Sequence, residues 1–188
     1  NKEFDQYLKR FGYKFKNDNK ELAGYAVLKN KKIILVMDVG SSPIKNFSKN
    51  YQSGALSFEI ISNDKKLISN SGYFPNKYNK LNKLSKSSAL QSTLIIEDYS
   101  SCNFKKKGKH DSIVDEGLTI LKKNIIQEEN YWKISGTHDG YSKKFNLIHE
   151  RDIEFYPEQM KFVGFDKILT NNSNISLGFY IKIFYFKF

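Results

Sequence analysis

From Gly24 onward the chain is a succession of short apolar runs, each broken by turn-forming residues before a helical stripe can develop. "GYAVL" is followed by "KKIILVMDV", which ends at Gly40 and a Ser41-Ser42-Pro43 loop. In "GALSFEIISNDKKLISNSG", residues 54–72, Leu56, Phe58 and Ile60 alternate with Ser57 and Glu59. That is the period of a half-buried strand, and Asn63-Asp64 supplies turn chemistry before Leu67 and Ile68 resume it. The segment is therefore expected to be a hairpin. "STLIIED" reads as a further strand, and "GLTILKKNIIQEENYWKISGTHDGY" as strands turning at Asn130 and Gly140. "KKFNLIHERDIEFY", "MKFVGFDKIL" and "LGFYIKIFYFKF" add three more, separated at Pro157 and at Asn171 to Asn174. Strands at this spacing, without a long helix, predict an all-β antiparallel sandwich.

Residues 1–23 read as a linker or short helix, because Phe4, Tyr7, Leu8 and Phe11 fall at helical spacing. Residues 24–188 form the expected sandwich domain. Two polar stretches, 73–88 and the basic "KKKGKHD", read as surface loops. The last run stops at Phe188 with no polar tail, and an apolar strand left open there invites aggregation. The expectation is a domain cut before its natural end.

Net charge is +11, yet of the 31 basic residues only Arg10 and Arg151 are arginine. Planar clamps for phosphate or carboxylate favour arginine, so the dispersed lysines are expected to form a solvated surface rather than a nucleic-acid groove. Any binding of a polyanion through them should be weak and steeply salt-dependent. No run of eighteen apolar residues suggests a membrane span. "NKEFDQYLKR" lacks the apolar centre of a signal peptide. The single cysteine, Cys102, allows no internal disulfide and is expected to be buried or incidental. Trp132 is expected in the core.

Catalytic signatures are sparse. No paired carboxylates stand out among Asp98, Asp111, Asp115 and Glu116, and there is no phosphate loop, nucleophile elbow or Cys/His metal spacing. His138 adjoins Asp139, but neighbours on a strand or turn point to different sides, which favours a scaffold role. His149, alternating with Arg151, is expected at the surface or between strands, and His110 as a solvated side chain. Tyr51, Tyr141 and the aromatics Tyr73, Phe74 and Tyr78 suit stacking on sugar rings or, equally, packing against a neighbouring domain.

Five segments, in order, resemble the C-terminal β domain of the heparinase II/III-like family of polysaccharide lyases. "LVMDVG" at 35–40 resembles the family's Asp-Val-Gly turn, and "GALSFEI" the segment after its His-x-His-x-Asp motif. "LISNSG" resembles its strand ending in Asp-Ser-Gly or Asn-Cys-Gly. "ALQSTLIIED" resembles Ala-His-Asn-Thr and the strand after it. "THDGY" at 137–141, followed by "LIHERDI", resembles its His-Asp-Gly-Tyr and His-Arg-Arg segments.

The resemblance implies a β-sandwich packed on an N-terminal helical toroid that carries most of the catalytic cleft. It implies cleavage of a uronic-acid polysaccharide by β-elimination, in the periplasm or envelope of a bacterium. Elimination needs a poised base, a group on the carboxylate and an acid for the leaving oxygen. The catalytic residues are thus expected outside these residues, with Asn50, Tyr51 and Tyr141 as substrate-binding candidates. Family members with zinc bind it at positions matched here by Gln52, Asn70 and Gln91, and Asn50 stands where the family has a cleft histidine. Amides lack the charge and donor strength for zinc, so a degenerate metal site without a cofactor is expected, its three amides bonded to one another. The alternative is a non-catalytic carbohydrate-binding or scaffold domain.

Overall fold

The computed structural model describes Arg10 and residues 20–75, 80–107, 111–170 and 181–187. Two five-stranded antiparallel meanders dominate it. The first sheet runs β1 (Glu21–Leu22), β2 (Tyr25–Lys29), β3 (Ile33–Asp38), β4 (Phe58–Ser62) and β5 (Lys65–Ile68) in spatial order. The second contains β8 (Ile120–Gln127), β9 (Trp132–His138), β10 (Leu147–Tyr156), β11 (Lys161–Thr170) and β12 (Ile181–Lys187), each paired with the next. Between them lies a separate hairpin, β6 (Asn103–Lys107) with β7 (Asp111–Glu116). The all-β antiparallel class is as expected.

Alternation builds the core. Ala26 and Leu28 on β2, Ile33, Leu35 and Met37 on β3, and Phe58 and Ile60 on β4 point inward from the first sheet. Trp132, Ile134, Ile153, Phe155 and Phe162 join the same buried cluster from the second sheet. Fully burying a side chain of this size is worth about 1.5–3 kcal/mol, so this two-sheet cluster is the main source of stability. Asn63 and Asp64, at φ 47° and 63°, make the β4–β5 turn with both central residues left-handed. That conformation matches the twist of paired strands and favours Asn and Asp, hence the hairpin.

Several expectations change. β1 pairs with β2, so the sheet begins before Gly24. β4 starts at Phe58 rather than Gly54, because Leu56 takes φ 57° and Ser57 N–H closes a turn onto Gly54 O. The polar stretch after Tyr73 is not all loop: α1 (Lys80–Ser85) forms there and buries Asn82 and Ser85. "STLIIED" is not a strand, since only an isolated Ile96–Tyr99 bridge occurs and Ile95 is exposed. Of "KKKGKHD", Lys105 to Lys107 lie on β6 and Asp111 on β7, while residues 108–110, His110 among them, lie outside the described residues. The helical spacing at Phe4 to Phe11, Tyr78 and the break at Asn171 to Asn174 also lie outside them. Among the described residues no helix is long and apolar enough to cross a membrane.

Lys86 ties the irregular layer together. It is 4% exposed, and its ammonium donates to Lys49 O, Ser112 O and Ser112 Oγ. Three acceptors satisfy the buried cation, as a buried charge requires.

Candidate functional site

A cleft of about 370 Å³ opens on the outward face of the first sheet. Its floor comes from the strand positions that alternate away from the core: Tyr25 opposite Asp38, and Val36 opposite Glu59. Asn50, Tyr51 and Gln52 arrive from the segment after β3, Asn70 from the end of β5, and Gln91 from the turn following α1. The cleft therefore gathers Asn50, Tyr51, Gln52, Asn70 and Gln91, which the sequence had placed at the ends of separate segments.

The amides are held, but not by one another. Gln52 Nε2 and Gln91 Nε2 both donate to Ser85 O, at 3.0 and 3.2 Å. Asn70 Nδ2 donates to Ser57 Oγ at 3.2 Å, while its Oδ1 accepts from Ser92 N–H at 2.7 Å and Ser92 Oγ at 2.9 Å. The expected mutual cluster is replaced by two separate anchors, because the carbonyl of Ser85 and the side chain of Ser92 lie closer at hand. Asn50 accepts from the Tyr73 hydroxyl at 3.2 Å.

The carboxylates were missed by the sequence reading. Asp38 Oδ1 accepts from Gly40 N–H at 3.0 Å, and burial outweighs that bond, pushing its pKa up to about 6. Glu59 accepts from Asn70 N–H at 3.0 Å. Burial, then the charges of Asp38 and Glu59, raise the Tyr25 hydroxyl above its ordinary value. The legible signal was parity: Asp38 and Glu59 occupy outward positions on adjacent strands. Tyr51 is raised far above the usual phenol by burial, and its buried hydroxyl faces the Cys102 thiol without a well-formed hydrogen bond among the described residues. Cys102, buried as expected, has its thiol pushed up to about 11 by burial and is an inert side chain.

Tyr141 is not on the cleft. It is 1% exposed and donates its hydroxyl to Leu94 O, so its ring is core rather than a sugar platform.

Beneath the first sheet lies a buried polar chain. His138, His149, Arg151 and Asp166 are each at most 3% exposed. Gly140 N–H donates to His138 Nδ1 at 3.0 Å, which leaves His138 Nε2 to donate to His149 Nδ1 at 3.1 Å. His149 Nε2 then donates to Asp166 Oδ1 at 2.7 Å, so one tautomer satisfies the run. Arg151 grips Asp166 with Nε and Nη2, both at 2.7 Å, and its Nη1 reaches Leu56 O and Ser92 O. Of the two expected positions His149 takes the one between strands, fully buried on β10 at the parity of Ile153 and Phe155. His138 has the scaffold environment expected of it, with Asp139 turned to Thr119 N–H.

The chain titrates in two opposed senses. Burial lowers both histidines below their ordinary value, so they are neutral when folded and protonate first in the unfolded chain. Their contribution is complete above about pH 6.5 and is lost as pH falls below it. Asp38 has the opposite sign, since its raised pKa costs stability at neutral pH and that cost lifts as pH falls through about 6. Asp38→Asn is therefore expected to raise the melting midpoint near pH 7.5, by about 1–3 kcal/mol in stability, and to steepen the acid loss. Melting curves of both proteins from about pH 8 to pH 5 check this. A flat profile in the variant would refute the assignment of neutral buried histidines.

The zinc implied by the resemblance does not fit. Its three positions carry amides, and the donors of Gln52 and Gln91 and the acceptor of Asn70 are already engaged. Among the described residues no three His, Cys, Asp or Glu side chains gather to hold a metal. The expected result of a chelator titration is an unchanged melting midpoint; a drop with stoichiometric metal release would reverse this conclusion.

No curated protein and no solved structure matches the chain. A family model described as "Heparinase II/III-like, C-terminal" matches residues 19–182, covering the first sheet, the second as far as the start of β12, and every residue of the cleft. The chain belongs to the heparinase II/III-like family and represents its C-terminal domain.

Proposed function

We propose that this domain forms one wall of a polysaccharide-lyase cleft that cleaves an acidic, uronate-containing chain by β-elimination. The observation that carries the reading is the convergence of Asn50, Tyr51, Gln52, Asn70 and Gln91 on one cleft, beside the exposed rings of Tyr25 and Tyr73. Amides, hydroxyls and aromatic faces are the groups that hold sugar rings. The base and the groups that neutralise the uronate belong, on this reading, to a helical toroid of the same protein, acting in the periplasm or cell envelope.

The isolated chain is expected to give no unsaturated-uronate absorbance with heparin, alginate or hyaluronan, because proximity effects require the complete set of groups. A protein carrying the toroid should turn over at least one acidic polysaccharide. Turnover by the isolated chain would overturn the division of labour. A second reading, a non-catalytic carbohydrate-binding domain, is favoured by the engagement of Gln52 and Gln91 with Ser85 O. It predicts binding without turnover even when the toroid is present.

A further inference from the structure

The charge inside the cleft opposes the charge of the chain. Net charge is +11, yet among the described residues no lysine, arginine or histidine lines the cleft, while Asp38 and Glu59 both do. Val36 pairs with Glu59, which makes Asp38 and Glu59 diagonal neighbours on β3 and β4. Such neighbours have backbones ~7–8 Å apart on one face of the sheet, and both side chains line the cleft. Among the described residues neither carboxylate has a basic partner: Asp38 accepts from Gly40 N–H and Glu59 from Asn70 N–H, both neutral donors. Tyr25, half exposed, adds an aromatic face at the mouth, which attracts a cation further. A uronate carboxylate placed here would meet two like charges and, among the described residues, no counter-ion.

We propose that the cleft seats a sugar unit bearing a free ammonium, an unacylated amino sugar, and turns away the carboxylate of a uronate. This rests on the reading of the cleft as a carbohydrate wall, and it assigns the uronate to another part of the complete protein. Asp38 and Glu59 hold the ammonium. Asn50 and the hydroxyl of Tyr25 meet ring hydroxyls.

The test is titration calorimetry of the chain at low salt with three trisaccharides: of glucosamine, of N-acetylglucosamine and of galacturonate. The glucosamine trimer is expected to bind about tenfold more tightly than its acetylated form, and the galacturonate trimer most weakly. Asp38→Asn and Glu59→Gln, each checked for an intact melting transition, should remove most of the tenfold preference. Diffuse attraction to a chain of positive net charge would give the reverse order. Equal or tighter binding of galacturonate, or an unchanged preference in both variants, overturns the inference while leaving the carbohydrate wall intact. Binding of none of the three overturns both.

Discussion

Arg151→Leu is expected to cost about 3–5 kcal/mol of folding free energy. The guanidinium is 3% exposed and clamps Asp166, which is 1% exposed, through two bonds of 2.7 Å. Removing it leaves a buried carboxylate whose other support is His149, and strips the carbonyls of Leu56 and Ser92 of a donor. Burial works to raise Asp166, but the bonds from His149 and Arg151 outweigh it and hold the acid below its ordinary value. Domains of this size have only about 5–15 kcal/mol of stability, so a loss of this size removes a large part of it. Asp166→Asn, which keeps the shape, is the milder probe, and the pair Arg151→Met with Asp166→Leu is the control. Because a buried pair often does little better than apolar residues of similar volume, the double variant should regain most of the loss. Urea unfolding measures all three. Single variants within about 1 kcal/mol of the parent would refute this account.

The same ion pair reaches the cleft. Arg151 holds Ser92 O, and Ser92 directs Asn70 through its N–H and hydroxyl. Asp166→Asn is thus expected to weaken ligand binding as well as folding, even though Asp166 does not line the cleft.

Phe155→Ala is expected to cost about 3–5 kcal/mol, the loss typical of emptying a buried aromatic site. Phe155 is fully buried between the sheets, stacked on Phe162 at 4.3 Å and edge-on to Trp132 at 5.0 Å. Its removal withdraws transfer free energy and both ring contacts, and β10, paired on both sides, cannot collapse into the gap. Phe155→Leu should cost less than half as much. Phe47→Ala, at a ring 79% exposed, is the comparison and should stay within about 0.5 kcal/mol. Equal losses at the two phenylalanines would mean that the sheets do not share the core described here.

Burial parity made much of the second sheet readable, and also shows where reading stopped short. On β10, His149, Arg151, Ile153 and Phe155 alternate inward together. Local pattern leaves His149 either at the surface or between strands, and the structure takes the second, bonding it to His138 on β9 and Asp166 on β11. Parity says which face a side chain takes; it does not say whether a partner waits there. Asp166 comes from β11 and His138 from β9, and only pairing of the three strands brings them to Arg151 and His149.

The segment "STLIIED" failed for the complementary reason. Its apolar run satisfies the local pattern, but the side chain of Thr93 is taken by Ala55 O and the carbonyl of Leu94 by Tyr141. Backbone groups satisfied by distant side chains need no ladder, so tertiary contacts override propensity. Residues 80–85 show the converse, a polar stretch that becomes α1 and buries Asn82 against Phe74 O.

The sequence by itself determined the all-β class, the Asn63-Asp64 turn, the burial of Trp132 and the family, because alternation, turn chemistry and ordered motifs are local properties of the chain. The tertiary structure alone decided that Asp38 and Glu59 share a cleft with Gln52, Asn70 and Gln91, that Tyr141 is core, and that the amides bond to Ser85, Ser57 and Ser92 rather than to one another. Those outcomes depend on which strand lies beside which and on how loops from distant positions close over an outward face. Register, approach and competing donors are set by packing, and no local pattern encodes them.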